Sequence, residues 1–196
     1  PMKSLLFIFI FFFLPPFCII TKQGNFSFNT TKCIDIPATF YDGHIQGVTT
    51  DGMYMYYSYT RQLKKTDSLG VVTDTTLELS YHHGDLTYYD SKIYVAHINN
   101  SVKVYNASDL SDSGGYPLTG FTGAEFPGGI SYYDGAFYVA VGVSHGNYNL
   151  IVRKYDLSFN YVTEYSINLL CYQGIQSISR HNGSWWIGTY SSDFQQ

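Results

Sequence analysis

The chain has 196 residues, 45% of them hydrophobic and only 13% charged, with 20 Tyr, 14 Phe and 18 Gly. That composition supports one domain with a sizeable core, built from strands and tight turns rather than charged surface helices. A net charge of −4 and a pI near 5.8 exclude a nucleic-acid binder, which needs a basic face to neutralise phosphates.

The first segment reads as a secretory leader. Met2-Lys3 precedes an apolar run from Leu5 to Leu14, and Pro15-Pro16 ends it before it is long enough to span a bilayer. No clear small-residue cleavage site follows, so residues 1–21 are a signal peptide or, uncleaved, an N-terminal membrane anchor. Five Asn-x-Ser/Thr sequons, at Asn25, Asn29, Asn99, Asn106 and Asn182, fall among only ten Asn. Both features predict a secreted, extracellular glycoprotein. Beyond the leader only Cys33 and Cys171 remain, an even number suited to an oxidising compartment. They are expected to form a disulfide if the lead-in packs against the last repeat; two buried free thiols are the alternative. Pro1 ahead of Met2, and the abrupt end, point to a piece of a longer chain.

Residues 22–43 form a polar lead-in, with one strand from Lys32 to Phe40 bent or placed at an edge by Pro37. Next comes HIQGVTTDGMYMYYS, His44 to Ser58, which the chain repeats. Gly47 to Thr50 is a short strand, Asp51-Gly52 a turn, and Met53 to Thr60 the return strand. Leu63 to Thr66 and Val71 to Leu79 supply two more strands around a turn at Asp67 to Gly70. The second copy, from His82 to Ala96, moves the turn markers from Asp51 to Asp90 and from Asp67 to Asn106, both by 39 residues. A whole four-stranded unit is therefore duplicated. A Gly-rich loop follows Leu110. The third copy has its markers at Asp134 and Asp156, with its extra length in the Ser144 to Asn149 loop. A fourth copy gives Gln176 to Ser179, a turn at Asn182-Gly183 and Trp185 to Tyr190.

A period of roughly 40–50 residues with four strands per unit predicts an all-β fold, a β-propeller. The units are 44–80, 81–126, 127–170 and a partial 171–196, about three and a half blades of a five- or six-bladed ring. The third-strand ends KKTD (Lys64 to Asp67), KVYN (Lys103 to Asn106) and RKYD (Arg153 to Asp156) add to the pattern. Together with the Asp-Gly turns and Tyr/Val-rich strands, they resemble the broad group of lactonase-type, NHL and YWTD-like propellers. The resemblance covers residues 44–190 and implies architecture, with no family site to carry over.

In such a fold the residues just before each first strand ring the mouth of the central channel. Aligning the copies on Gly47-Val48, Asp85-Leu86, Gly129-Ile130 and Ser177-Ile178 sets His44 opposite His82. Gln46, His83, Asp85, Glu125, Gln173 and Gln176 fall nearby. Convergent His, Asp and Gln side chains build ligand sites, and they also lock blades together through hydrogen bonds. His44, His82 and Asp85 form a candidate site for a divalent metal, although adjacent His82 and His83 must point to opposite faces of a strand. Asp85 and Glu125 are the only candidates for a carboxylate pair. No nucleophile elbow, zincin helix motif or phosphate loop occurs. Of the second-strand aromatics (Tyr54, Tyr56, Tyr94, Phe137, Tyr138, Trp185, Trp186), about half must face the core; the rest, with Tyr88-Tyr89 and Tyr132-Tyr133, offer stacking faces to sugars. The expected role is binding a small molecule, glycan or extracellular protein at the mouth. The alternatives are a metal-assisted hydrolase on the same face and a structural extracellular module.

Overall fold

The computed structural model describes residues 8–9, 43–77, 81–181 and 183–190, and among them the regular structure is strand alone. The first unit is a four-stranded antiparallel sheet in chain order: β2 (Ile45–Thr50), β3 (Met55–Tyr59), β4 (Leu63–Thr66) and β5 (Val72–Thr75). The second repeats it with β6 (His83–Tyr89), β7 (Lys92–His97), β8 (Ser101–Asn106) and β9 (Asp112–Pro117). β9 takes up the start of the Gly-rich stretch and is exposed throughout, as an outermost strand should be.

The remaining repeats share one sheet of β10 (Glu125–Tyr133), β11 (Ala136–Tyr155), β12 (Tyr161–His181) and β13 (Ser184–Tyr190). β11 and β12 each do the work of two blade strands. Residues Ala136 to Val143 of β11 pair with β10, and Asn147 to Tyr155 pair with β12. The Lys154 ammonium lies 5.7 Å from the Tyr138 ring centre, so β11 doubles back between these halves, where Gly146 has φ +84°. β12 bends at Gln173 (φ +58°) and Gly174 (φ +67°), and its second half, from Ile175, pairs with β13. The third blade is thus complete and the fourth is a hairpin. The backbone of β1 (Ile8–Phe9), inside the N-terminal apolar run, lies parallel to β13 at Ile187 and Gly188. The expected lead-in strand, residues 32–40, lies outside the described residues.

The turn markers are Asp for a physical reason. The Oδ1 of Asp51 accepts the N–H groups of Met53 and Tyr54 at 2.8 and 2.7 Å. Asp67 does the same for Leu69 and Val71, and Asp156 for Ser158 and Asn160. A short carboxylate satisfies turn amides that the ladder cannot reach. After the Asp67, Asn106 and Asp156 markers, Gly70, Leu110 and Phe159 sit at matching left-handed positions, with φ of +83°, +56° and +61°. Leu110 and Phe159 use that bend to drive an apolar side chain into the core, where they are 3% and 4% exposed.

The core is three seams between blades. Tyr56, Leu63, Leu86, Ile93, Val95 and Tyr105 fill the seam between blades 1 and 2, with Leu110 as its plug. Tyr94, Val102, Ile130, Phe137, Val139 and Tyr155 fill the next, plugged by Phe159. Ala140, Val152, Ile175, Ile178 and Ile187 fill the third. Hydroxyls stitch the first strands together in a repeated way: Thr49 Oγ1 accepts the Tyr88 N–H at 3.2 Å, and Thr87 Oγ1 accepts the Tyr132 N–H at 3.1 Å.

Candidate functional site

The aligned positions that open the first strands are Gly47, Asp85, Gly129 and Ser177, and they meet around one axis. A β-carbon on Gly47 would overlap the Asp85 carboxylate, and one on Gly129 would come within 2.9 Å of Ser177 Cα. Asp85 is the only long side chain in this ring. Its Oδ1 accepts the Leu86 N–H at 2.9 Å, and its Oδ2 accepts the N–H of Ile178, 93 residues away, at 3.0 Å. Burial pushes its pKa up to about 8, against the opposing pull of the Ile178 and Leu86 amides. Asp85 therefore pins the second blade to the fourth with an uncharged carboxyl at neutral pH.

His44 and His82 do come together, at the solvent end of the first and second blades. Their ring centres are 6.4 Å apart, and the Gln46 amide nitrogen stands between them, 2.7 Å from His44 Nε2 and 2.9 Å from His82 Nε2. An amide nitrogen only donates, so both imidazoles accept at Nε2 and keep their proton on Nδ1. Burial lowers both pKa values, and for His82 the His44 ring adds to the effect. The pair is neutral at pH 7.

His83 points the other way, as alternation requires. It is 1% exposed, its Nε2 lies 3.1 Å from the Tyr105 hydroxyl, and its Nδ1 has no hydrogen-bond partner. Burial, then His97, His82 and Lys103, push its pKa down to about 4. His97 packs its ring 5.7 Å from that of His83 and is itself 3% exposed. The sequence reading missed His97 and Tyr105. Counting back along the hairpin from its Asp90-Ser91 turn sets His97 opposite Gly84, and a register break between His83 and Leu86 moves it onto His83.

Glu125 belongs to a different group. It accepts hydrogen bonds from the Tyr148 hydroxyl, from Arg153 Nη2 at 3.1 Å and from the Thr122 N–H at 2.9 Å. Its side chain and that of Arg153 are 7% and 6% exposed. Burial would raise the Glu125 pKa, but the Tyr148, Thr122 and Arg153 contacts outweigh it and hold the carboxyl below its usual range. Gln173 donates to the Ser144 carbonyl at 2.8 Å, and Gln176 donates to the Gln173 carbonyl at 2.7 Å. These two amides tie the long third-blade loop to the entry of the fourth.

The seven expected mouth residues therefore divide into an accessible trio (His44, Gln46, His82), an axial pin (Asp85) and a set of loop ties (Glu125, Gln173, Gln176). The candidate metal triad does not assemble: Asp85 is spent on two backbone amides, and no group of three His, Cys, Asp or Glu poised for a metal occurs among the described residues. Asp85 and Glu125 are likewise engaged with separate partners. Tyr56, Tyr94 and Phe137 are seam residues, while Tyr89 and Tyr132 stack on each other with centres 3.7 Å apart. Asn99 is exposed in a turn; Asn106 is half-buried and donates to Ser111 Oγ at 2.8 Å. Asn25, Asn29, Asn182 and Cys33 lie outside the described residues, and Cys171 is a half-buried free cysteine beside the third seam.

No family model and no curated protein matches the sequence. Among solved structures, the fold is similar to the computationally designed Ika4 protein, at TM-score 0.52 and 10% identity, over 82% of this chain and 99% of that one. It is similar also to Myxococcus xanthus glutaminyl cyclase, at TM-score 0.55 and 12% identity, over 74% and 68%. At such identities the likeness is one of fold, and with the repeated four-stranded sheets about one axis it makes this chain a β-propeller.

Proposed function

We propose that the chain is a secreted binding module that holds an uncharged, hydrogen-bonding ligand, a neutral glycan, at the mouth between blades 1 and 2. The observation that carries this reading is the accessible trio: two neutral imidazoles from different blades, held on one Gln46 amide. Neither expected mouth carboxyl offers a free negative charge. Asp85 is buried with a raised pKa, and Glu125 is neutralised by Arg153. Such a mouth offers donors and acceptors without a field that gathers ions, which suits hydroxyl-rich ligands. The Nδ1–H groups donate and the Gln46 carbonyl accepts.

The test is a neutral-glycan array followed by calorimetry on the secreted chain, with His44→Ala and His82→Ala alongside. Each substitution is expected to weaken the hit about tenfold or more, the loss of one or two good hydrogen bonds. Thermal melting should be unchanged for the exposed His82. Binding that survives both substitutions would sink the reading, and so would an array with no hits.

A further inference from the structure

We propose that the mouth between blades 1 and 2 is an acid-operated switch, in which protonation of two neighbouring histidine pairs parts the two blades and releases what the mouth holds. The release half of this rests on the binding role proposed above; the opening half does not.

The four imidazoles form two pairs, an outer and an inner, joined through the chain. His44 faces His82 across Gln46, His82 adjoins His83 in the chain, and His83 packs edge-on against His97. The Gln46 bridge between the blades needs neutral rings. A proton on the Nε2 of His44 or His82 removes the acceptor that the Gln46 amide uses, and sets two donors face to face. A proton on His83 creates a cation in a site that is 1% exposed, whose Nδ1 has no acceptor to receive the new N–H.

The surroundings do not rescue the charge. On β8, Lys103 and Tyr105 face the inner pair; Lys103 is positive, and its own partner Asp112 on β9 is 3.9 Å away. On β7 the neighbour is His97, and Tyr81, ahead of β6, stacks edge-on with it at 5.5 Å. On the blade 1 side stand His44, the exposed Arg61 and the Thr60 carbonyl, which accepts the His83 N–H at 3.0 Å. The carboxylate on β6 itself, Asp85, is occupied by the amides of Leu86 and Ile178. A charged His83 must therefore reach water, and the route out breaks the Thr60 bond and the Gln46 bridge together. The seam below, from Tyr56 to Ile93, is left to hold the blades, together with the Thr49–Tyr88, Tyr56–Ala107 and Lys65–Ser108 hydrogen bonds.

Hydrogen–deuterium exchange on the full chain, at about pH 7 and about pH 5 with labelling times scaled to the intrinsic rate, tests the opening. Segments 44–60 and 81–98 are the reporters, and 175–190 is the internal reference. With His83 titrating at about 4 when closed and near 6.5 when open, the open fraction rises about 20-fold over that range. Reporter exchange should rise accordingly, reverse on neutralisation, and leave the reference unmoved. His83→Phe should remove most of the response, the His83 share being about 20-fold. If that variant does not fold, the His83 Cε1-proton titration of the wild-type chain decides. A midpoint well below 6 supports the switch, and an ordinary midpoint without faster exchange overturns it. Uniform exchange across all segments also overturns it. The readout needs no ligand, so an empty glycan array would end the binding proposal without touching this result.

Discussion

Replacing Asp85 by Asn isolates the energetic consequence of a carboxyl on the propeller axis. The wild-type group is 6% exposed, with a pKa raised from 3.8 to about 8, burial outweighing the two amide bonds. A raised acid pKa means that the folded chain binds more protons than the unfolded one between about pH 4 and pH 8. Stability is then fully present below the unfolded pKa and lost as pH rises through that window. At 1.36 kcal/mol per unit, Asp85 alone should remove about 4 kcal/mol of stability between pH 5 and pH 9. Asn does not titrate, so this slope disappears. Asn brings a penalty of its own, since its NH₂ must face either the Leu86 or the Ile178 N–H, a clash of donors worth about 1–3 kcal/mol. The variant should therefore be no more stable than wild type at pH 5 and more stable by a few kcal/mol at pH 9. Urea denaturation of both proteins at pH 5, 7 and 9 measures this, and the histidines, titrating alike in both, cancel from the difference. Parallel stability profiles for the two proteins would falsify the burial argument.

The Glu125–Arg153 pair and the turn plugs give two further tests. Arg153→Met leaves Glu125 buried without its cation and should cost about 3–5 kcal/mol in urea denaturation, with part recovered when Glu125→Gln is added; full additivity of the two changes would refute the pairing. Phe159→Ala empties the plug of the middle seam and should cost about 3–5 kcal/mol, while Leu69→Ala, beside the equivalent Gly70 of blade 1 and 66% exposed, should stay within about 0.5 kcal/mol. Thermal melting of the two single variants ranks them, and equal losses would contradict the seam assignment.

The repeat was legible because turns obey local rules. A carboxylate that caps two amides of its own turn is set by a few neighbouring residues, so Asp51, Asp67 and Asp156 mark hairpins in the sequence itself. From there, alternation placed the strands, and the 39-residue shift placed the second blade behind the first. His44, Gln46 and His82 could be grouped for the same reason, since matching positions in repeated units must lie at matching heights on the axis. β10 begins at Glu125, two residues ahead of the expected boundary at 127, and the expected boundary at 171 falls within β12.

What the sequence hid were contacts set by bulges and by the shapes of facing residues. Register breaks between His83 and Leu86, and again between Gly142 and Asn147, shift partners in ways a strict period does not predict. The first helps to place His97 against His83, and β11 must double back at the second before Arg153 can reach Glu125. Asp85 was placed at the mouth as a ligand for a metal, yet the size pattern at its aligned position pointed elsewhere. With Gly at 47, Gly at 129 and Ser at 177, three of the four blades offer almost no side chain at that height, and only one residue can fill the space they leave. A carboxyl there must find donors in the backbone, because its neighbours have no side chains long enough to supply them. The ring of small residues and the buried acid are one device, and the accessible chemistry of the mouth is left to the imidazoles one step above it.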